Sequence, residues 1–219
     1  YTNMATNTKE LEVTLDDDGK LVDTLYHQYP HEEEKNIQLN MIILKKDLLI
    51  SLIEKGITYG WYSIKKNVLA NGYGEYKIYG YKVEGYTSVI NSVETFYKTN
   101  MDLLCRDVRM ELFMGKNPIL TRIKDSVPTI YGENCNICNS LIADGCTIDG
   151  TVENCIIFRD VKIEKGAVVK NSIIMQDCYI SAGAKVNCAI LDKNVTLKPN
   201  RELSGAESYP IYVGKNITV

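Results

Sequence analysis

Few side chains in this sequence of 219 residues have the type and spacing to do chemistry. The only histidines, His27 and His31, are the natural general bases near neutral pH. Asp16-Asp17-Asp18-Gly19-Lys20 has the carboxylate density of a calcium loop, but the twelfth position from Asp16 holds His27 where a bidentate Glu is required. Cys135-Asn136-Ile137-Cys138 is a lone Cys-x-x-Cys with no second pair at zinc spacing, so no metal site is assigned. Tyrosines crowd the stretch around Tyr59, Tyr62, Tyr73, Tyr76, Tyr79, Tyr81 and Tyr86; an aromatic platform for sugars is one reading, and packing of a small α/β layer is the preferred one. Arg106, Arg109, Lys116, Arg122 and Lys124 could line an anion cleft, but a solvated linker accounts for them more simply.

The elements that would hold such groups begin with a hairpin. Leu11–Leu15 and Leu21–Leu25 alternate around the aspartates, with Gly19 where the turn needs a positive φ. His31-Glu32-Glu33-Glu34-Lys35 reads as a solvated loop and Ile37–Leu44 as a buried strand. Asp47 is expected to cap a helix stopped by Gly56, and a second helix is expected over Ser63–Ala70. Glu75–Glu84 alternates like a strand. Asn91-Ser92-Val93-Glu94 resembles a capping box opening a helix to Leu104.

From Asn139 the chain repeats. Asn139-Ser140-Leu141-Ile142, Asn154-Cys155-Ile156-Ile157, Asn171-Ser172-Ile173-Ile174 and Asn187-Cys188-Ala189-Ile190 start about 15, 17 and 16 residues apart. A step of about six runs inside the copies, as in Ile163 to Val169 across Glu-Lys-Gly-Ala-Val. Short strands separated by bends, three to a coil, place an apolar column inside each face. The Ile and Val residues, Ile173 among them, are assigned to those inward columns. Gly145, Gly166 and Gly183 fall at bends, and the asparagines are expected to line up as a ladder along one corner. Six cysteines, Cys135, Cys138, Cys146, Cys155, Cys178 and Cys188, lie in or just before the repeat on positions that also hold Ser or Ala. The odd count of apparently free thiols points to a reducing compartment, hence the cytoplasm. Tyr209–Val213 reads as a strand closing the stack.

A net charge of −3 and 45% hydrophobic residues are ordinary for a soluble protein and argue against nucleic-acid binding. No apolar run approaches the ~18 residues of a membrane span, and no signal peptide opens the sequence. The first residue is Tyr1, and the chain is expected to be a fragment of a longer protein.

The repeat resembles the hexapeptide repeat of left-handed parallel β-helices; the left hand is implied by that resemblance. Together with Phe96-Tyr97-Lys98-Thr99-Asn100-Met101-Asp102-Leu103-Leu104, it makes Lys20–Val219 similar to the glucose-1-phosphate adenylyltransferase (ADP-glucose pyrophosphorylase) family. The implied fold is an α+β remnant of a Rossmann-like nucleotidyltransferase domain (residues 1–104), a connector (105–126) and a left-handed parallel β-helix (127–219). Departures from the family pattern cluster in one pocket. Active members resemble Trp-x-Asp-Val-Gly-Thr where this chain has Thr87-Ser88-Val89-Ile90-Asn91-Ser92, so Val89 replaces a carboxylate serving metal and sugar phosphate. The family's Glu-Glu-Lys-Pro corresponds to Tyr26-His27-Gln28-Tyr29-Pro30, so His27 and Gln28 stand where the charged grips would be, and Gln38-Leu39-Asn40-Met41 replaces Ala-Ser-Met-Gly.

Phosphoryl transfer needs a carboxylate-held cation and cationic grips on phosphate oxygens. The resemblance therefore implies the regulatory, GlgD-like branch: an inactive chain, with no catalytic, cofactor-binding or metal residues of its own. Its partner would be a catalytic subunit, which binds Mg2+, in a hetero-oligomer expected to be a tetramer making ADP-glucose for glycogen. The rivals are an active sugar-phosphate nucleotidyltransferase, a plain oligomerisation module, and a hexapeptide acyltransferase, which would need a histidine on the repeats.

Overall fold

The structure, a computed structural model, describes residues 1–6, 10–27, 31–71, 74–116, 118–121 and 124–219. Contacts gather it into two units, Tyr1–Val89 and Ile90–Val219.

The first unit is built on a four-stranded antiparallel sheet in the order β1-β4-β2-β3, with β1 Thr2–Thr6, β2 Leu11–Leu15, β3 Leu21–Tyr26 and β4 His31–Ile37. The predicted hairpin is β2–β3, paired from Leu11↔Tyr26 to Leu15↔Leu21. Gly19 has φ +77°, and the Asp16 carboxylate accepts from the amides of Asp18 (3.0 Å) and Lys20 (2.8 Å). That carboxylate is committed to the turn.

Two expectations exchange places. The acidic run His31–Lys35 is no loop; it forms most of β4 and pairs with β1 through Met4↔Lys35 and Thr2↔Ile37. The apolar run after Ile37 is no strand, and Met41, Ile42 and Ile43 are exposed. Hydrophobicity misled in both cases, because strand pairing here is satisfied by backbone groups along a polar run.

Helix α1, Lys46–Tyr59, runs a turn beyond Gly56 and ends where Gly60 adopts φ +67°. The second helix is a π-helical segment, Lys65–Ala70. Glu75–Glu84 provides an isolated bridge, Lys20↔Tyr79, and no strand. Leu11, Val13, Leu21, Ile37, Leu52, Val68 and Leu69 are the buried apolar residues of this unit among those described.

The second unit opens with α2, Val93–Asp102, capped by Ser92 in a box closed by Thr95, not by the expected Glu94. The expected linker holds a further helix, α3, Arg106–Met114. The Arg109 guanidinium donates to the carbonyls of Leu103 and Leu104, both at 2.7 Å, placing a cation on the carbonyls that close α2.

Ile130–Val213 then forms the predicted parallel β-solenoid, three five-stranded sheets running along the stack. One sheet carries an inward column, Ile142, Ile157, Ile174, Leu191 and Val213, and an outward column, Leu141, Ile156, Ile173, Ile190 and Tyr212. Ile173 is therefore fully buried on the other side of the sheet from its expected place. It packs with Tyr97, Ile190, Phe96, Met101, Phe158 and Met175 under α2.

The asparagine ladder is present: Asn139 donates to Asn154 (2.8 Å), Asn154 to Asn171 (3.2 Å) and Asn171 to Asn187 (3.0 Å). Asn139, Asn154 and Asn171 have positive φ, but in the next coil Cys188 takes that conformation. Register explains this. Lys170 pairs with Asn187 and Ile173 with Ile190, so the fourth copy is Cys188-Ala189-Ile190-Leu191, one residue later than the sequence suggested. The glycines serve two corners, Gly145 in line with Asp160 and Asp177, Gly166 and Gly183 in line with Asn200, all at positive φ. A Cβ on Gly183 would stand 2.3 Å from the Asn200 side chain.

Candidate functional site

The first unit contains a cavity of about 200 Å³ lined by Glu10, Gln38, Leu39, Asn40, Met41, Thr87, Ser88 and Val89. β2 begins just after Glu10 and β4 ends just before Gln38, so the paired sheet fixes two of its walls. The amide of Gln38 donates to the Leu11 carbonyl at 2.9 Å, holding the chain to the sheet edge as it turns away. Asn40 adopts φ +59°, which turns the following residues around the cavity. The two segments singled out by the family departures, Gln38–Met41 and Thr87–Val89, thus share one cavity.

Its electrostatics are sparse. Among the described residues the lining contains one carboxylate, Glu10, and no lysine or arginine. Glu10 is 7% exposed, and its Oε2 lies 2.7 Å from Lys65 Nζ on the π-helical segment. Sequence reading missed this pair, because its members lie 55 residues apart and nothing local connects them. A buried carboxylate so paired is a structural element first: removing one partner of a buried ion pair costs about 3–5 kcal/mol. Val89 supplies a hydrocarbon surface. The lining does not fit a divalent cation, since Val89 offers no oxygen and Glu10 is already engaged by Lys65.

The Gln38 side chain is the opposite case. It is 8% exposed, and neither Oε1 nor Nε2 has a hydrogen-bond partner among the described residues. An unpaired buried polar group costs about 1–3 kcal/mol.

His27 is not part of this lining. Its Nε2 lies 2.5 Å from Glu12 Oε2 at the end of the β2–β3 hairpin, and its backbone amide donates to the Glu10 carbonyl at 3.0 Å. Gln28 lies outside the described residues. A larger cavity, about 280 Å³, is lined by α1 and the segment after it, including Leu52, Ile57, Trp61, Tyr62 and Val68. Its lining among the described residues has no charged side chain.

The buried thiols of the second unit are poor nucleophiles. Burial pushes the Cys155 thiol up to about 12 and the Cys178 thiol up to about 11, and raises Cys146 in the same direction. Their Sγ–H groups donate to the carbonyls of Glu153, Asp192 and Phe158 at 3.0, 3.0 and 3.1 Å. Such thiols stay protonated at neutral pH and pack as small side chains. Cys135 is partly buried and Cys138 exposed, and no cluster of three or more metal-ligating side chains occurs among the described residues. Both histidines precede the solenoid, which therefore lacks the base that acyl transfer on such a scaffold would need. No helix among the described residues is long and apolar enough to cross a membrane.

Comparison with known proteins agrees with the solenoid and with the family resemblance. The family described as GlmU-like, C-terminal hexapeptide, matches residues 126–207. The chain is 41% identical over 174 residues to the glycogen biosynthesis protein GlgD of Bacillus subtilis (strain 168), covering 80% of this chain and 49% of that protein. It is 44% identical over 131 residues to GlgD of Geobacillus stearothermophilus, covering 60% and 38%. A glucose-1-phosphate adenylyltransferase of Clostridium botulinum (strain Eklund 17B / Type B) is 34% identical over 100 residues, covering 42% and 24%. The resemblance read from the residues is borne out by these relatives. The chain spans about half the length of the Bacillus subtilis protein and less of the other two.

Proposed function

We propose that this chain is part of a non-catalytic, regulatory-type subunit of a bacterial glucose-1-phosphate adenylyltransferase, supporting synthesis of ADP-glucose from ATP and glucose 1-phosphate for glycogen. The observation that supports the reading is the lining of the 200 Å³ cavity, which includes Val89, the residue the resemblance sets against the family's carboxylate, and no lysine or arginine among the described residues. Nucleotidyl transfer to a sugar phosphate spreads negative charge over the reacting oxygens, and a cation held by carboxylates together with fixed basic side chains must answer it. The described residues of this lining offer no such groups, which supports the non-catalytic reading. Higher identity to the two GlgD proteins than to the adenylyltransferase supports the same branch.

In this reading the catalytic partner holds the Mg2+, the complex is a cytoplasmic hetero-oligomer, a tetramer being the expected form, and this chain contributes structure and regulation. The test is ADP-glucose formation by the full-length protein, by a catalytic adenylyltransferase subunit from the same cell, and by the two mixed. The expected result is no turnover by the first alone and a changed kcat or KM in the mixture. Turnover by the full-length protein alone, at the partner's level, would instead make it an active nucleotidyltransferase. A mixture indistinguishable from the catalytic subunit would remove the regulatory role.

A further inference from the structure

We propose that α3 of one copy of this protein docks into the apolar groove beside α1 of a second copy. α3 has nine residues, and none of them is buried. Helices shorter than ~12–15 residues are marginal in water unless an apolar face is packed. Met110, Phe113 and Met114, spaced i, i+3, i+4, form such a face, and all three are exposed. Ile119 and Leu120, also exposed, return to the helix where the Ile119 amide donates to the Leu112 carbonyl at 2.8 Å. Phenylalanine and methionine are residues that interface cores favour. The helix has the form of a ligand whose receptor is a groove.

The same chain carries a groove of the matching kind. The cavity of about 280 Å³ is lined by Leu52, Ile57, Trp61, Tyr62 and Val68 among others, and by no charged side chain among the described residues. Ile57 and Tyr62 are exposed. Such a lining receives phenyl and thioether side chains, whereas a polar ligand would lose its hydrogen bonds to water there without replacement. The charges beside the two surfaces are opposite. Lys66 Nζ stands 5.5 Å from the centre of the Tyr62 ring and has no carboxylate partner among the described residues. Asp107 and Glu111 lie on the side of α3 that carries Met110 and Met114. Because one chain encodes both halves of the contact, two copies can exchange helices about a two-fold axis, which closes a dimer and extends no filament. The proposal goes beyond the function proposed above and holds whether or not the protein is catalytic.

The experiment is sedimentation velocity of the full-length protein alone over a range of concentrations. Concentration-dependent dimerisation is expected. Phe113→Asp on the helix and Ile57→Asp in the groove are each expected to weaken it about tenfold or more, as loss of an interface anchor does, with circular dichroism unchanged. Should either variant fail to fold, Met114→Asp or Tyr62→Asp takes its place. An equal mixture of a helix variant and a groove variant retains one intact contact, so it is expected to associate more tightly than either variant alone. A full-length protein that stays monomeric, association indifferent to the folded variants, or a mixture no tighter than its components would each overturn the proposal. Dimers formed only with an added catalytic adenylyltransferase subunit would assign α3 to that subunit and overturn it as well.

Discussion

The Tyr97 hydroxyl donates to the Asn171 backbone carbonyl at 2.6 Å, joining the one buried side chain of α2 to the corner at which the asparagine ladder runs. This bond makes the helix an outer layer of the solenoid. It also gives the second unit a pH-sensitive joint. Burial raises the Tyr97 phenol above its ordinary 10.0. Its folded value exceeds its unfolded one, so the stability it contributes is complete below pH 10 and is lost as pH rises beyond it. Denaturant midpoints of wild type and Tyr97→Phe should differ by roughly 0.5–1.5 kcal/mol at pH 7, the worth of one hydrogen bond. The gap should narrow as pH rises above 10. A constant gap would show that the phenol does not titrate with folding.

The two isoleucines of the third coil lie on opposite sides of one sheet, and both are fully buried. Ile173→Ala and Ile174→Ala should each cost about 2–5 kcal/mol. A double-mutant cycle with Tyr97→Ala separates them. Ile173 should couple to Tyr97 by about 0.5–3 kcal/mol and Ile174 by much less. Equal coupling would contradict the outward placement of Ile173.

Lys65 and Glu10 make a testable pair in the first unit. Lys65→Met should destabilise that unit by about 3–5 kcal/mol, read by urea unfolding, because it withdraws the cation from a buried carboxylate. The double variant Glu10→Gln/Lys65→Met should recover much of the loss. A single variant as stable as wild type would mean that the Lys65 contact does not support the Glu10 carboxylate.

Thiol labelling reads burial directly. Exposed Cys105 and Cys138 should react with an aromatic disulfide reagent at the rate of free cysteine, whereas Cys146, Cys155 and Cys178 should wait for unfolding. Rapid modification of all the thiols in the native protein would be incompatible with the packed columns of the solenoid.

How legible these features were depends on the range of the forces behind them. The inward columns follow from a local rule, an apolar residue every six or so positions with a turn former between, and the sequence displays it from Ile142 to Val186. Ile173 was misplaced because a pair of adjacent isoleucines gives no sign of which one a helix far upstream will cover. His31–Lys35 hid a strand because pairing with Thr2–Thr6 depends on the backbone, which has no letter in the sequence. Val89 and Gln38–Met41 could be named from the family resemblance. Their shared cavity, and the enclosure of the Gln38 amide, arise only once the chain is folded.

The one-residue slip between Asn187 and Cys188 bears on how such a chain can change length. Paired strands of successive coils lie 15, 17 and 17 residues apart, yet the inner column is unbroken and the amide ladder continues through Asn187. Corners therefore absorb insertions and deletions that a strand could not, since a slip within a strand would turn its buried face outward. Relatives should be aligned on Ile142, Ile157, Ile174 and Leu191, with gaps confined to corners. Matching asparagine to asparagine would shift the whole fourth coil by one position.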